Sequence, residues 1–144
     1  DTLAELFNLK DIKLFAMTND TFGAGRIGDI ESILVSKFNE LVESKLNTKS
    51  IRTNEFFHKI KEVKRIAILP GSGTQFIDEI IEDVDIFVTG DISHRYLLKA
   101  DDARVGLLQI GHISSEIPGM KRFVNKLNNA LSKELEYIYR EFYE

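Results

Sequence analysis

The sequence predicts an α/β fold, with a largely parallel sheet and flanking helices. Three short apolar runs carry this prediction, at 65–69, 85–89 and 106–110. Their hydrophobicity is continuous rather than alternating, which is typical of strands that are covered on both faces. A glycine-containing turn and then a helical pattern follow each run. Because strands that alternate with helices favour right-handed crossovers, we expect a βαβαβα segment over 64–144.

The part of the chain before this segment predicts a helix, a strand and a longer helix. Asp1 is typical of a helix N-cap, and apolar residues at helical spacing separate it from a strand-like run at 13–17. The glycines within 23–28 indicate a break in regular structure. A second apolar stripe, which extends to Leu46, predicts a helix that Asp29 caps.

Composition indicates one core of ordinary size. The chain has 144 residues, of which 43% are hydrophobic, and we expect a single α/β unit over 1–144. The 19 basic and 23 acidic residues give a net charge of −4, so no nucleic-acid-binding arm or polybasic membrane patch is predicted.

The chain also lacks the patterns of membrane proteins and secreted proteins. No apolar run approaches the ~18 residues of a membrane-spanning helix, and no signal peptide is visible, which predicts a cytoplasmic protein without a membrane partner. The sequence opens on a helical pattern rather than on Met. This opening predicts a fragment whose upstream part is missing.

Each of the three predicted strands is followed by a turn that contains glycine. In open α/β sheets, ligands bind outside the carboxyl ends of the strands. We therefore expect Gly71, Asp91 and His112 to lie along one edge of the sheet. The chain has no cysteine, so any metal ion there would be held by His, Asp or Glu side chains.

His112 and Glu116 are the candidate metal ligands. His112 directly follows a predicted buried strand, and Glu116 falls near the first turn of the next predicted helix. An imidazole and a carboxylate at one strand end suit zinc, iron or manganese. The alternative is a polar histidine in a turn beside a carboxylate that caps the helix.

Asp91 and His94 follow the neighbouring predicted strand. Asp91 is interpreted either as the cap of the next helix or as part of a substrate site. His94 is a candidate for orienting a ligand, for transferring a proton or for hydrogen bonding to a metal ligand, and the alternative is an exposed helix residue.

Two further stretches are candidates for binding an anionic substrate. The turn of Gly71, Ser72 and Gly73 presents backbone amides that could approach a phosphate, although a simple tight turn is the alternative. No Walker motif is present. The stretch 23–28 spells a dinucleotide-binding pattern, but four polar residues separate it from the preceding strand and the predicted helix begins after it. Its Arg26 remains a candidate for contacting an anionic substrate.

Four motifs together resemble the Nif-three-like family, whose members are often labelled type 2 homologues of GTP cyclohydrolase I. The motifs are Gly-Arg-Ile-Gly at 25–28, Gly-Ser-Gly at 71–73, the stretch 84–91 with His94, and Gly-His with Ser-Glu within 111–116. Their order and spacing match the family over nearly the whole chain, including the opening Asp-Thr-Leu-Ala.

The resemblance implies a two-domain α/β fold that binds two divalent metal ions. It assigns the late metal ligands of the family to His112 and Glu116. The family's early His-His-Pro segment and its nearby Asp have no counterpart in this sequence. This departure supports a fragment that lacks the first half of the family, and the isolated chain is expected to bind metal weakly or not at all.

By resemblance, the parent protein is a metal-dependent hydrolase acting on a nucleotide or a similar phosphorylated substrate. In this interpretation His94 hydrogen-bonds to a metal ligand or transfers a proton. The substrate is contacted by Arg26, Asp91 and the 71–73 amides. The resemblance also implies a homohexamer. The alternative function is a protein that binds or delivers metal without catalysis, or a regulatory interaction module.

Overall fold

The computed structural model describes residues 1–131, and the end of the predicted 64–144 segment lies outside the described residues. One six-stranded sheet forms the framework, in the spatial order β1-β2-β4-β5-β6-β3. The strands are β1 (Lys10–Met17), β2 (Gly23–Leu34), β3 (Arg52–Thr53), β4 (Glu62–Ser72), β5 (Ile86–Asp91) and β6 (Gly106–Gln109).

The predicted α/β class is confirmed, and its parallel part is the centre of the sheet. Strands β4, β5 and β6 pair in parallel, as their alternation with helical segments predicts. The outer pairs are antiparallel, because β1 and β2 form a hairpin that joins β4 and because β3 runs against β6. The sheet is therefore mixed.

Within residues 1–131, four α-helices and two 3₁₀ helices flank this sheet. The α-helices are α1 (Thr2–Leu6), α2 (Val35–Leu46), α3 (His94–Asp102) and α4 (His112–Ala130). The 3₁₀ helices are Phe56–Lys59 and Thr74–Glu79. The connection between β4 and β5 is thus a 3₁₀ helix, whereas α3 and α4 follow β5 and β6. Within residues 1–131, no helix is long and apolar enough to cross a membrane.

Both faces of the sheet carry a hydrophobic core. On β4, Ile66 and Ile68 join the core under α1 and α2, while Ala67 and Leu69 join the core under α3. All four side chains are almost fully buried. This double burial explains why the central strands are continuous apolar runs.

The glycines at 23–28 do not interrupt regular structure, so that prediction is wrong. They lie in β2, which pairs with both β1 and β4. A Cβ at Gly25 would lie 2.1 Å from Cε1 of Phe15, whose ring covers this glycine. Close packing across the hairpin, rather than a turn, therefore requires glycine here. No helix begins within the stretch, which agrees with the interpretation that it is not a dinucleotide motif.

Helix α2 begins at Val35, so the predicted helix start at Asp29 is also wrong. Strand β2 continues through this region to Leu34, and the Asp29 carboxylate is 2.5 Å from the Arg65 guanidinium on β4. The N-cap is Leu34, which makes no capping hydrogen bond through its side chain. Pairing with β4 has overridden a local pattern that equally suits a helix.

Asn54 joins β6 to the segment between β3 and β4. This residue is only 3% exposed. Its Oδ1 accepts hydrogen bonds from the Phe57 and Leu107 amides, and its Nδ2 donates to the Val105 carbonyl. All these groups are buried, so the amide side chain replaces the backbone partners that the short β3 does not supply.

Candidate functional site

The carboxyl edge of the central strands brings together the residues that the sequence predicts there. Ser72 at the end of β4 is in register with Asp91 at the end of β5. The Asp91 carboxylate contacts the His112 ring at the start of α4, and a Cβ at Gly71 would touch the same ring. The prediction that Gly71, Asp91 and His112 share one edge is confirmed.

Helix α4 presents His112 and Glu116 one turn apart on the same side. Gly111 is the N-cap, so His112 is the first helical residue and Glu116 is its i+4 neighbour. His112 Nε2 is 3.5 Å from Glu116 Oε1. The two side chains are 44% and 49% exposed, so their polar atoms face solvent rather than the core. The pair thus converges on one accessible point.

Asp91 contacts His112 instead of capping the next helix. His112 Nδ1 donates to Asp91 Oδ2 at 2.6 Å. Helix α3 begins at His94 with Ser93 as its N-cap. The interpretation of Asp91 as a helix cap is therefore wrong, because its carboxylate is used by a residue 21 positions later in the chain.

Two carboxylates surround the His112 ring and raise its pKa. The hydrogen bond to Asp91 is the largest cause, and the negative charges of Asp91 and Glu116 add to it, while partial burial opposes it. Both carboxylates stabilise the cationic form of the ring. A metal ion that binds this ring must therefore displace a proton that is held more firmly than on an exposed histidine.

Ser115 holds the first turn of α4 against the end of β4. It is 1% exposed. Its Oγ accepts a hydrogen bond from the Gly71 amide at 2.8 Å and donates to the His112 carbonyl at 2.5 Å. Ser115 belongs to the last of the four sequence motifs, but the sequence assigns it no role, although its position three residues after a candidate ligand on a helix is a signal that it could support that ligand.

Gly71 permits the close approach of both candidate ligands. Its φ is +69°, in the left-handed region that favours glycine, and an added Cβ would lie 2.7 Å from Glu116 Oε1 and 3.3 Å from His112 Nε2. The Gly71 amide already donates to Ser115, so it is not free to bind a phosphate. Substrate binding by Ser72 and Gly73 remains a prediction.

Arg26 borders the same region from β2. Its side chain is 15% exposed, and its Nε and Nη2 each lie 2.9 Å from Asp1 Oδ1. Its Nη1 donates to the Gly23 and Gly25 carbonyls. A small cavity of about 130 Å³ reaches from Arg26 to Glu116. The guanidinium therefore lies beside the site, but its charge is balanced by a carboxylate.

His94 does not join this cluster through any direct contact. It is exposed, and in the part of the chain that the structure describes its side chain makes no hydrogen bond or ion pair. Its predicted role in proton transfer remains a prediction. No group of three or more His, Asp or Glu side chains within residues 1–131 is placed to hold a metal ion. The site therefore offers one pair of donors.

Comparison with known proteins identifies the family. The family model for Duf34/NIF3 (NGG1p interacting factor 3) matches residues 1–143, which is almost the whole chain. The chain belongs to the Duf34/NIF3 family. This finding confirms the resemblance that the four sequence motifs indicate.

Several curated relatives carry the name GTP cyclohydrolase 1 type 2 homolog, and two of them illustrate the match. The one from Pyrococcus abyssi is 32% identical over 120 residues, which cover 83% of this chain and 47% of the relative. The one from Methanocaldococcus jannaschii is 31% identical over 140 residues, which cover 94% of this chain and 53% of the relative. This Duf34/NIF3 chain thus spans about half the length of the curated relatives that it matches.

Solved structures share the fold. The protein ybgI, of unknown function, superposes with a TM-score of 0.77 at 21% identity, over 94% of this chain and 51% of that chain. Reduced HcgD from Methanocaldococcus jannaschii superposes with a TM-score of 0.71 at 26% identity, over 94% of this chain and 52% of that chain. The mixed α/β architecture is therefore that of other family members.

Proposed function

We propose that His112 and Glu116 form part of a divalent-metal centre in a Duf34/NIF3 metal-dependent hydrolase. The observation that carries this proposal is the convergence of Nε2 and Oε1 at 3.5 Å, with the other ring nitrogen held by Asp91. The proposed substrate is a nucleotide or a similar phosphorylated compound.

The two donors fit one divalent ion in chemistry and in spacing. Zinc ligands of these types bind at ~2.0–2.2 Å, so two of them on a tetrahedral ion lie about 3.4 Å apart. The observed separation of 3.5 Å agrees with this value. Imidazole with carboxylate also suits iron and manganese. The described residues supply two donors. The other ligands of this ion, and the ligands of the predicted second ion, would therefore come from outside these residues.

The hydrolase part of the proposal rests on the family and on the surroundings of the donors. A bound divalent ion would supply Lewis-acid chemistry and would lower the pKa of a coordinated water. Among the residues of this chain, His112 and Glu116 would hold the ion. Arg26 lines the same cavity as Glu116, and there its guanidinium would exchange the Asp1 carboxylate for an anionic group of the substrate. The name of the curated relatives makes GTP the first substrate to test.

Metal titration of matched variants tests this proposal. We expect the binding of Zn²⁺ and Mn²⁺ by the full-length protein, measured by calorimetry, to weaken at least tenfold in His112→Ala and in Glu116→Gln. His58→Ala is the matched control, because His58 pairs with Thr53 rather than with the candidate site. Binding that neither site variant changes would overturn the proposal. The hydrolase part has its own assay, which measures phosphate release from GTP or opening of its ring. Such an activity, present in the unchanged protein and lost in His112→Ala, would establish the hydrolase.

The exposure of the two donors favours a second candidate, a protein that carries metal without catalysis. Ligands that are 44% and 49% exposed leave an ion open to exchange with solvent or with another protein. A carrier should transfer Zn²⁺ rapidly to a chelating acceptor and should convert no nucleotide. A hydrolase should retain its ion through many turnovers. The homohexamer that the resemblance implies is proposed for either function.

A further inference from the structure

We propose that Asp91 is a positioning residue that holds the neutral His112 ring in the tautomer with the proton on Nδ1. In this tautomer the free electron pair lies on Nε2, on the side of Glu116. The inference rests on the proposed metal centre. It assigns to Asp91 a positioning role that neither the sequence motifs nor the pair of donors indicates.

The chemistry of the two contacting groups decides which nitrogen carries the proton. An ionised carboxylate can only accept hydrogen bonds, so the 2.6 Å contact with Asp91 Oδ2 requires a proton on His112 Nδ1. The distance is shorter than that of an ordinary N–H···O hydrogen bond, in the direction expected for a charged acceptor. Once Nδ1 is protonated, a neutral ring has its electron pair on Nε2, the nitrogen that faces Glu116. A metal ion needs that electron pair.

The backbone of Asp91 is held in place. Asp91 ends β5 in register with Ser72 of β4, and its carbonyl accepts a hydrogen bond from Thr74 Oγ1. No helix uses its side chain, since Ser93 is the N-cap of α3. Asp91 therefore presents its carboxylate to His112 from a rigid strand end, which is the arrangement that orients a ligand precisely.

Two separate contacts then determine the position of His112. Ser115 holds its backbone carbonyl, and Asp91 holds its ring. Without Asp91, the ring could rotate, and a neutral histidine side chain in water prefers the opposite tautomer, with the proton on Nε2. Loss of such a partner of a metal-binding histidine typically weakens metal affinity about 10- to 100-fold.

The test reads the tautomer directly and the metal affinity separately. The chain is labelled with ¹⁵N histidine, and two-bond ¹H–¹⁵N correlation spectra are recorded at a pH high enough that the His112 signals no longer change. We expect the protonated nitrogen to be Nδ1 in the unchanged protein. In Asp91→Asn the amide group can donate to Nδ1, so we expect the population to shift toward the Nε2-protonated ring.

Zn²⁺ calorimetry on the full-length protein, with and without the same substitutions, gives the second result. We expect binding about 10- to 100-fold weaker in Asp91→Asn than in the unchanged protein. Asp102→Asn is the matched control, because it removes the same charge from an exposed position at the end of α3. The control should change neither the tautomer nor the affinity, and thermal unfolding should show that both variants are folded.

The outcomes separate this inference from the proposed function. An Nε2-protonated ring in the unchanged protein overturns the role of Asp91, whatever the metal affinity is, and needs no variant. An Nδ1-protonated ring that Asp91→Asn leaves unaltered overturns it as well. If the tautomer shifts as expected but His112→Ala leaves the Zn²⁺ affinity of the full-length protein unchanged, Asp91 positions the ring and the metal-centre proposal fails.

Discussion

Replacement of Gly71 by alanine should destabilise the fold and weaken metal binding at the same time. Gly71 has a φ of +69°, and a left-handed backbone costs a non-glycine residue about 1–2 kcal/mol. A new Cβ would also lie 2.7 Å from Glu116 Oε1, closer than Cβ atoms normally approach. The Glu116 carboxylate must therefore move by a few tenths of an ångström, away from its position 3.5 Å from His112 Nε2.

The expected size of the effect follows from the backbone cost. At roughly 3–5 °C per kcal/mol for a chain of this length, Tm should fall by about 3–10 °C. The displaced end of a flexible side chain adds little to this loss of stability, but it moves one of the two proposed ligands. Urea unfolding measures the first effect, and Zn²⁺ calorimetry measures the second.

Gly119→Ala provides a control with the opposite sign. Gly119 lies in α4, and a Cβ there would meet no atom within 4 Å. Because alanine is favoured over glycine inside a helix by about 0.5–1 kcal/mol, this variant should be slightly more stable than the unchanged protein. If Gly71→Ala proves as stable as Gly119→Ala and binds Zn²⁺ equally well, the reasoning from backbone strain and close approach is refuted.

Three further predictions concern stability and pH. Ser115→Ala leaves the Gly71 amide and the His112 carbonyl without their buried partner and should cost about 1–3 kcal/mol of unfolding free energy, measured by urea titration. Asn54→Ala unpairs three buried backbone groups and should cost about 3 kcal/mol or more in the same assay. The raised pKa of His112 means that its protonation stabilises the fold fully below the ordinary value of 6.5 and ceases to do so as pH rises through the raised pKa. Zn²⁺ binding should strengthen over that same rise, and NMR titration of the ring gives the pKa.

Each of these predictions has a result that contradicts it. A Ser115→Ala variant of unchanged stability would mean that water replaces the hydroxyl. An Asn54→Ala loss below 1 kcal/mol would show that the buried amide does not connect β6 to its neighbouring segment. A His112 pKa at or below 6.5 would mean that the two carboxylates do not act on the ring in solution.

The central strands and the candidate ligands could be predicted because their signals are local. A strand buried on both faces is apolar at every position, and β4, β5 and β6 each show this within a single run of the sequence. The i,i+4 spacing of His112 and Glu116 places them together wherever the helix forms. Ligands of open α/β sheets bind at the carboxyl ends of the strands, and this rule places the local signals at one site.

The positions where prediction failed depend on contacts between distant parts of the chain. The glycines of β2 resemble a turn, and only the Phe15 ring from β1 shows why a strand needs them. The segment from Asp29 has a pattern that suits a helix, and pairing with β4 makes it a strand. Local propensity is a weak guide when a neighbouring strand offers a ladder of hydrogen bonds.

The sequence by itself therefore determined the fold class, the family, the strands at the centre of the sheet and the pair of donors. Only the tertiary structure decided what surrounds that pair. Asp91 could equally have capped a helix, and its contact with His112 arises because β5 ends beside the start of α4. Ser115 and Gly71 meet, across 44 residues of chain, because β4 also ends beside the start of α4. Sequence spacing specifies neighbours within one helix or strand, whereas the register between elements specifies which side chains complete a site.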